Sequence, residues 1–238
     1  MYEQQIAGSL ASDVVSDLQS ELKREYSLRF SSTEDYREKI WKILTSEFFQ
    51  HYIPAKSAVL DLGCGWGQFI NNIRCQKKYG MDLNPESRER LSPEVGFLCV
   101  DCSKTWPLER DSLDVVFTSN FFEHLRTKDD LKSTLREARR CLKPGGKIIC
   151  MGPNIKYIGG AYWDFWDHYL ELTELSLSEA LTIEGFQIKE CTPKFLPYTM
   201  VGKRESPLWA VRLYLHLPFA WRFFGQQFLV VAEKSNVE

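Results

Sequence analysis

The stretch Ala58-Val59-Leu60-Asp61-Leu62-Gly63-Cys64-Gly65-Trp66-Gly67 decides the fold. An apolar run leads into alternating glycines, and Phe69, Ile70 and Ile73 follow at helical spacing. This pattern predicts a strand through Val59-Leu60-Asp61 and a helix over Gln68 to Arg74. A strand that turns into a helix through glycines brings bare backbone close to a ligand. Glycine suits that turn because it lacks Cβ and accepts positive φ.

A dinucleotide fingerprint reads G-x-G-x-x-G and seats a pyrophosphate on a helix N-terminus. Here Gln68 follows Gly63, Gly65 and Gly67, so the third glycine arrives one place early. Asp61 at the loop mouth would also repel a phosphate. A cationic ligand with a free amino group fits the acid better. S-adenosylmethionine is such a ligand, with a sulfonium, an ammonium and no phosphate.

Outward from this loop, strand and helix signals alternate. Lys78-Tyr79-Gly80-Met81-Asp82 reads as a second strand, and Asn84-Pro85 as a helix start. Gly96 to Asp101 reads as a third strand and Leu113 to Ser119 as a fourth. A helix over about Lys128 to Cys141 carries Leu131, Leu135, Ala138 and Leu142 on its apolar side. Pro144-Gly145-Gly146 stops it before a fifth strand, Lys147 to Met151. Ser176 with Glu179 predicts the cap of a further helix that Gly185 ends. Phe186-Gln187-Ile188 and Phe228 to Ala232 read as closing strands. This alternation predicts an α/β fold with a mostly parallel sheet, whose ligands sit beyond the carboxyl ends of the strands.

The flanks differ. Ile6, Leu10, Val14, Leu18 and Leu22 predict an N-terminal helix. Ser31 and Glu34 predict the cap of a second helix, which carries Ile40, Trp41, Leu44 and Phe48. Pro193 to Gly225 is too long for a plain connection and reads as a cap. One domain is expected over residues 1–238: a helical segment at 1–53, a cofactor-binding core at 54–152, and substrate-side insertions at 153–175 and 192–226.

Bulk properties exclude some classes. The formal net charge is −2 and the pI about 6.2, so no global basic field favours nucleic acid. Met1-Tyr2-Glu3-Gln4-Gln5 lacks the basic-then-apolar order of a signal peptide. Leu208 to Phe224 is aromatic-rich, but Arg212, His216 and Arg222 interrupt it, so it is not a membrane span. The seven cysteines suggest reduced thiols and a cytoplasmic location. Cys99-Val100-Asp101-Cys102 has C-x-x-C spacing, yet it closes a strand and has no second pair, so packing is its expected role.

Taken together, the motifs resemble those of the class I S-adenosylmethionine-dependent methyltransferases. The matching pieces are Val59 to Gly67, Asp82 after the second strand, Asp101 after the third, Asn120-Phe121-Phe122-Glu123-His124 after the fourth, and Leu142-Lys143-Pro144-Gly145-Gly146 before the fifth. The resemblance is strong over Ala58 to Met151 and weaker over the last two strands. It implies a doubly wound, Rossmann-like sheet of seven strands, the last of them antiparallel, and S-adenosyl-L-methionine as cofactor. It further implies that Asp82 and Leu83 meet the ribose and Asp101 and Cys102 the adenine. Asp61, Gly63, Cys64, Gly65 and Asn120 would line the methionine end. An Asx turn is nearly as good an account of Asp101.

The expected reaction is O-methylation of a small molecule, glycan or glycolipid. A hydroxyl acceptor needs a proton acceptor, and His124 and His168 are the candidate catalytic residues. His168 lies in Trp163-Asp164-Phe165-Trp166-Asp167-His168-Tyr169, a mix of flat rings and carboxylates that suits a sugar. Asp164, Asp167 and His168 offer ligand atoms for a divalent ion, but follow no defined pattern, and no metal is assigned. Asn120-Phe121-Phe122-Glu123 lacks the prolines of nucleic-acid amino-methyltransferases, so no nucleic-acid acceptor is expected. The cap, with Arg212 and Arg222 among its rings, could rest on a glycolipid, an acidic membrane surface or a second copy in a homodimer. Two other functions compete: a nicotinamide-dependent oxidoreductase on a similar fold, and a non-catalytic cofactor-binding module that activates a partner.

Overall fold

A computed structural model describes residues 34–198 and 205–235. The expected helix over Ile6–Leu22 and the Ser31 cap lie outside the described residues. Helix α1 spans Glu34–Glu47, with Glu34 and Asp35 in its first turn, where acids complement the helix dipole. Its inner side carries Ile43 and Leu44, and a 3-10 turn at Phe49–His51 follows. Phe49 is fully buried there, edge-on to Phe117 at 4.9 Å.

Seven strands form one sheet in the order β3-β2-β1-β4-β5-β7-β6. They are β1 Ala58–Leu62, β2 Lys77–Met81, β3 Val95–Leu98, β4 Leu113–Ser119, β5 Leu142–Pro153, β6 Phe186–Thr192 and β7 Gln227–Lys234. Strands β1 to β5 pair in parallel, and β7 runs antiparallel between β5 and β6. The doubly wound, Rossmann-like methyltransferase fold implied by the motifs is therefore present. Successive side chains of a strand face opposite layers. Leu60, Val116, Ile148 and Val230 pack with helices α3 (Lys128–Cys141) and α5 (Glu174–Ile183), through Leu131, Leu135, Leu177 and Leu181. Val59, Phe117, Ile149 and Leu229 pack on the opposite face with Ile43, Leu44, Ile70 and Leu215.

Several boundaries differ from expectation. No helix follows the glycine loop: residues 68–73 form consecutive turns instead. Isolated helical bonds survive there, Asn71 N–H to Gly67 C=O and Ile73 N–H to Phe69 C=O. The reason is competition for the polar groups. The Ile70 N–H goes to the Asp61 carboxyl, Asn72 donates its side chain to Gln68 C=O, and Gln50 takes the Arg74 N–H. Strand β5 begins five residues early, at Leu142, across a register shift opposite Leu113 and Val115. Lys143 fastens this start by reaching both oxygens of Asp114 at 2.8 and 2.9 Å. Asp114 also accepts the Ala58 N–H, so one carboxylate ties the entrances of β1, β4 and β5.

Asn84-Pro85 does not open a long helix. Asn84 accepts the Glu86 N–H, and only Ser87–Arg90 (α2) is helical. After β5 come a short helix α4 (Ile155–Ile158) and a 3-10 segment at Gly159–Asp164. Thr173, not Ser176, is the N-cap of α5; Ser176 is its reciprocal partner three residues on. The expected C-terminal cap is two short helices, α6 (Leu208–Leu215) and α7 (Pro218–Phe224). Thr173→Ala should therefore lower unfolding stability by about 1 kcal/mol, while Glu179→Ala leaves it unchanged. Urea unfolding followed by circular dichroism reads both, and the reverse order would restore Ser176 as the cap.

Candidate cofactor and acceptor site

The glycine loop lies at the carboxyl end of β1. Gly63, Gly65 and Gly67 have φ of 72°, 51° and 72°. A Cβ on Gly63 would meet the Phe121 ring at 2.3 Å, so only glycine lets the two segments approach. The N–H groups of Gly63 and Cys64 both donate to Met81 C=O, which binds the loop to the end of β2. The Cys64 side chain turns inward, with Sγ 3.0 Å from where a Gly80 Cβ would stand. Its thiol is pushed well up by burial, and Asp82 and Asp61 add to this.

Asp82 follows β2 and is buried. Its carboxylate accepts the Gly65 N–H at 2.7 Å and the Asn84 N–H at 2.9 Å. An ionised carboxylate has about four acceptor sites, so capacity remains for further donors. Burial raises its pKa; the N–H groups of Asn84 and Gly65 and the nearby His124 oppose that rise. Leu83 comes next, and its C=O accepts the Cys99 thiol.

Asp61 is also buried, and its carboxyl accepts the Ile70 N–H. Burial pushes it up to about 8; the Ile70 bond opposes this and the Asp82 charge adds to it. Asp101 lies past the end of β3, exposed, and makes the Asx turn: its Oδ1 accepts both the N–H and the hydroxyl of Ser103. Cys102 is buried, and its C=O accepts the Trp106 indole N–H. Cys99 is exposed while Cys102 is buried, and both are free thiols. Asn120 adopts φ 49° and donates to the Ser119 hydroxyl. Asparagine tolerates this left-handed turn, which delivers Phe121 over Gly63.

The structure joins the two candidate histidines, although 44 positions separate them. Their ring centroids are 5.0 Å apart. His124 Nδ1 lies 3.0 Å from Asp167 Oδ2 and 3.0 Å from Asp167 C=O. Both partners accept, so Nδ1 carries the proton. Burial lowers the His124 pKa, but the bond to Asp167 and the charges of Glu123 and Asp167 outweigh it, leaving a net rise. Glu123 is buried and pushed up to about 7 by that burial, against the pull of His124. His168 is buried between Phe165, stacked at 4.9 Å, and Tyr162 at 4.6 Å. Trp163 and Trp166 face outward, Trp166 at 89% exposure. Sequence reasoning gave Glu123 no role at the histidines and set Asp167 beside His168 only as an offered metal ligand, not as the partner of His124. Their adjacency to His124 and His168 in the chain was the available signal. A separate open groove at the foot of the cap, lined by Tyr157, Thr192, Lys194, Trp221 and Arg222, shares no residue with this cluster.

Residues 60–150 match the family model described as a methyltransferase domain. That stretch is a methyltransferase domain of the class I, S-adenosylmethionine-dependent kind. It is 32% identical over 127 residues to an inferred methyltransferase of Encephalitozoon cuniculi, covering 52% of this chain and 57% of that protein. The chain spans about half the length of the curated relatives it matches. A methyltransferase structure from Archaeoglobus fulgidus aligns with TM-score 0.62 at 20% identity, over 85% of this chain and 97% of that one. One from Haloferax volcanii, solved in complex with the Trm112 methyltransferase activator, aligns with TM-score 0.62 at 22% identity, over 87% and 93%.

The methyltransferase domain displaces the nicotinamide alternative. S-adenosylmethionine is the cofactor of this family, and the donor set here fits it. Gly63 leaves a cradle with no Cβ, Asp82 retains acceptor capacity, and Asp61 is a buried acid suited to a cation rather than a phosphate.

Asp61 has a measurable consequence without ligand. Its folded pKa of about 8 exceeds the ordinary carboxylate value near 4. The folded protein therefore holds a proton that the unfolded chain releases between about pH 4 and 8, and stability falls as pH rises through that window. Asp61→Asn keeps an acceptor for Ile70 but removes the ionisation. It should melt near the wild-type temperature at pH 5 and above it at pH 8, by a margin of about 4 kcal/mol, about 1.4 for each pH unit between. Parallel melting curves at both pH values without ligand would refute the buried-acid assignment.

Proposed function

We propose that this methyltransferase moves the methyl group of S-adenosylmethionine to a hydroxyl of a small molecule, glycan or glycolipid. The observation that carries the reading is His124, protonated on Nδ1 by its bond to Asp167 and standing close enough to Asp82 for their charges to interact. Asp82 and Leu83 are assigned to the ribose, and Asp101 and the backbone of Cys102 to the adenine. Asp61, Gly63, Cys64, Gly65 and Asn120 are assigned to the methionine end, with Cys64 acting through its main chain.

When bound, the cofactor supplies an activated methyl carbon and a neutral thioether leaving group. The chain contributes alignment and proton handling. Holding an oxygen in line with the methyl is worth several kcal/mol, roughly 7–11 in favourable cases. His124 Nε2 is the ring atom left to take the hydroxyl proton, and Asp167 stabilises the imidazolium that results. His168 lies against His124 and orients the acceptor. The outward faces of Trp163 and Trp166 suit a sugar ring.

The cap supports the lipid-linked option. Trp209, Phe219, Phe223 and Phe224 are exposed, with Arg212 and Arg222 on the same two helices. Apolar side chains with interspersed arginines suit an acidic membrane surface. No helix among the described residues is long and apolar enough to cross a membrane. The seven thiols are free, which suits a reducing compartment, and the cytoplasm is the proposed location. The exposed cap also favours a second reading, a protein partner or second copy, since the Haloferax relative was solved with its activator.

Two variants test the core of this reading. Asp82→Ala should weaken S-adenosylmethionine binding in calorimetry by roughly 10–100-fold, from lost charge-assisted hydrogen bonds worth about 1.5–3 kcal/mol. Unchanged affinity removes the ribose assignment. His124→Ala should lower kcat toward a hydroxyl acceptor by about 100-fold or more while cofactor affinity stays within twofold. An unaltered kcat would exclude histidine as the proton acceptor.

A further inference from the structure

The cluster around His124 holds more charge than proton transfer requires. Glu123, His124 and His168 each offer a ligand atom, and these atoms lie within 4.8 Å of one another. Asp167 grips the Nδ1–H of His124 with its side chain and its carbonyl, both at 3.0 Å. That bond fixes the tautomer and presents Nε2 as a lone-pair donor. A carboxylate behind a metal-binding histidine does the same at known metal centres.

We propose that Glu123, His124 and His168 form a binding site for a divalent first-row transition metal, with Zn2+ the matching ion. Two imidazoles with one carboxylate are a nitrogen–oxygen donor set that suits zinc, and imidazole argues against magnesium or calcium. Ligands about 2.0–2.1 Å from a tetrahedral zinc stand about 3.3 Å apart, so a modest contraction of the cluster would seat the ion.

Burial and charge favour the ion. Glu123 and His168 are buried, with relative exposures of 4% and 6%, and both must contribute polar atoms to the interior. Glu123 and Asp167 set two carboxyl groups against the single His124 ring. A divalent cation compensates that excess better than a single imidazolium. The His124 side chain is 28% exposed, which leaves an approach from solvent.

Three protein ligands leave a fourth position open. The inference rests on the reading of this cluster as the acceptor site, because the open position would take an acceptor oxygen. With Nε2 of His124 on the ion, the ion would hold the acceptor hydroxyl and lower its pKa; the proton would leave to solvent along the exposed side of His124, and the resulting alkoxide oxygen would take the methyl in place of the imidazole-assisted route. Asp167 is a positioning residue in this arrangement, acting through His124.

Cobalt reports the ligand set without any methylation assay. The full chain, stripped with a chelator, should bind one Co2+ and develop visible d–d absorption without a strong near-ultraviolet thiolate band, and Zn2+ should displace it. Glu123→Gln, nearly isosteric, and His168→Ala should each weaken Co2+ at least 100-fold with unchanged far-ultraviolet circular dichroism. Asp167→Asn should weaken it 10–100-fold while the melting temperature holds. Absence of stoichiometric Co2+, a thiolate band, or unchanged affinity in both Glu123→Gln and His168→Ala would overturn the site. Failure of cobalt binding while His124→Ala still slows transfer removes the metal and keeps the proton-acceptor reading. Cobalt bound as expected, with no hydroxyl methylated, keeps the metal and removes that reading.

Discussion

One buried carboxylate, Asp82, holds the binding rim in shape. It accepts the N–H of Gly65 across the sheet and that of Asn84 in its own loop. The two loops after β1 and β2 therefore share a single anchor. Met81, one residue earlier, takes the N–H groups of Gly63 and Cys64. Four backbone donors of a glycine-containing turn and its neighbour thus find partners within two residues. A loop with positive φ at three glycines has few intrinsic preferences of its own, and these bonds supply the constraint. The later rim segments depend on the same geometry. Phe121 fits over Gly63 only while Gly63 stays pinned to Met81, and His124 follows Phe121 by three residues.

The parallel sheet was legible because its central strands are continuous apolar runs. Leu113 to Ser119 was read to the residue, and α3 was bounded at Lys128 and Cys141 by its own periodicity. Failures occurred where local side chains compete with the backbone. Phe69, Ile70 and Ile73 are spaced for a helix, and all three are buried as a helix would bury them. Asp61, Asn72 and Gln50 nonetheless take backbone groups of this stretch and turn it away from a helix. The early start of β5 depends on Lys143 finding Asp114, a contact 29 positions away that no local pattern reveals. Individual site residues were legible as types at strand ends. Their assembly was not, because His124 and Asp167 meet only after β5 and the 3-10 segment have returned the chain to the rim.

Burial at the rim works against the protein's own stability. Asp61 and Glu123 are pushed up by desolvation, to about 8 and about 7. A packed apolar side chain at either position would avoid that cost. Buried acids with raised pKa values cluster where a ligand will later provide the opposing charge. The two acids occupy different parts of the rim. Asp61 belongs to the glycine loop through Ile70, and Glu123 to the histidine cluster through His124. Their separation divides the rim into two places that favour positive charge.

That division bears on how the 163–169 segment stays in place. Glu123 accepts the N–H groups of Tyr169 and Leu170 through its main-chain carbonyl while its carboxyl faces His124. One residue therefore fixes the end of the aromatic segment with its backbone and the polar cluster with its side chain. Asp167 closes the circuit from the other side by holding His124. The polar cluster and the Trp163–Tyr169 segment are therefore held by the same two residues, so a substitution that disturbs Glu123 or Asp167 disturbs the aromatic wall as well as the histidines.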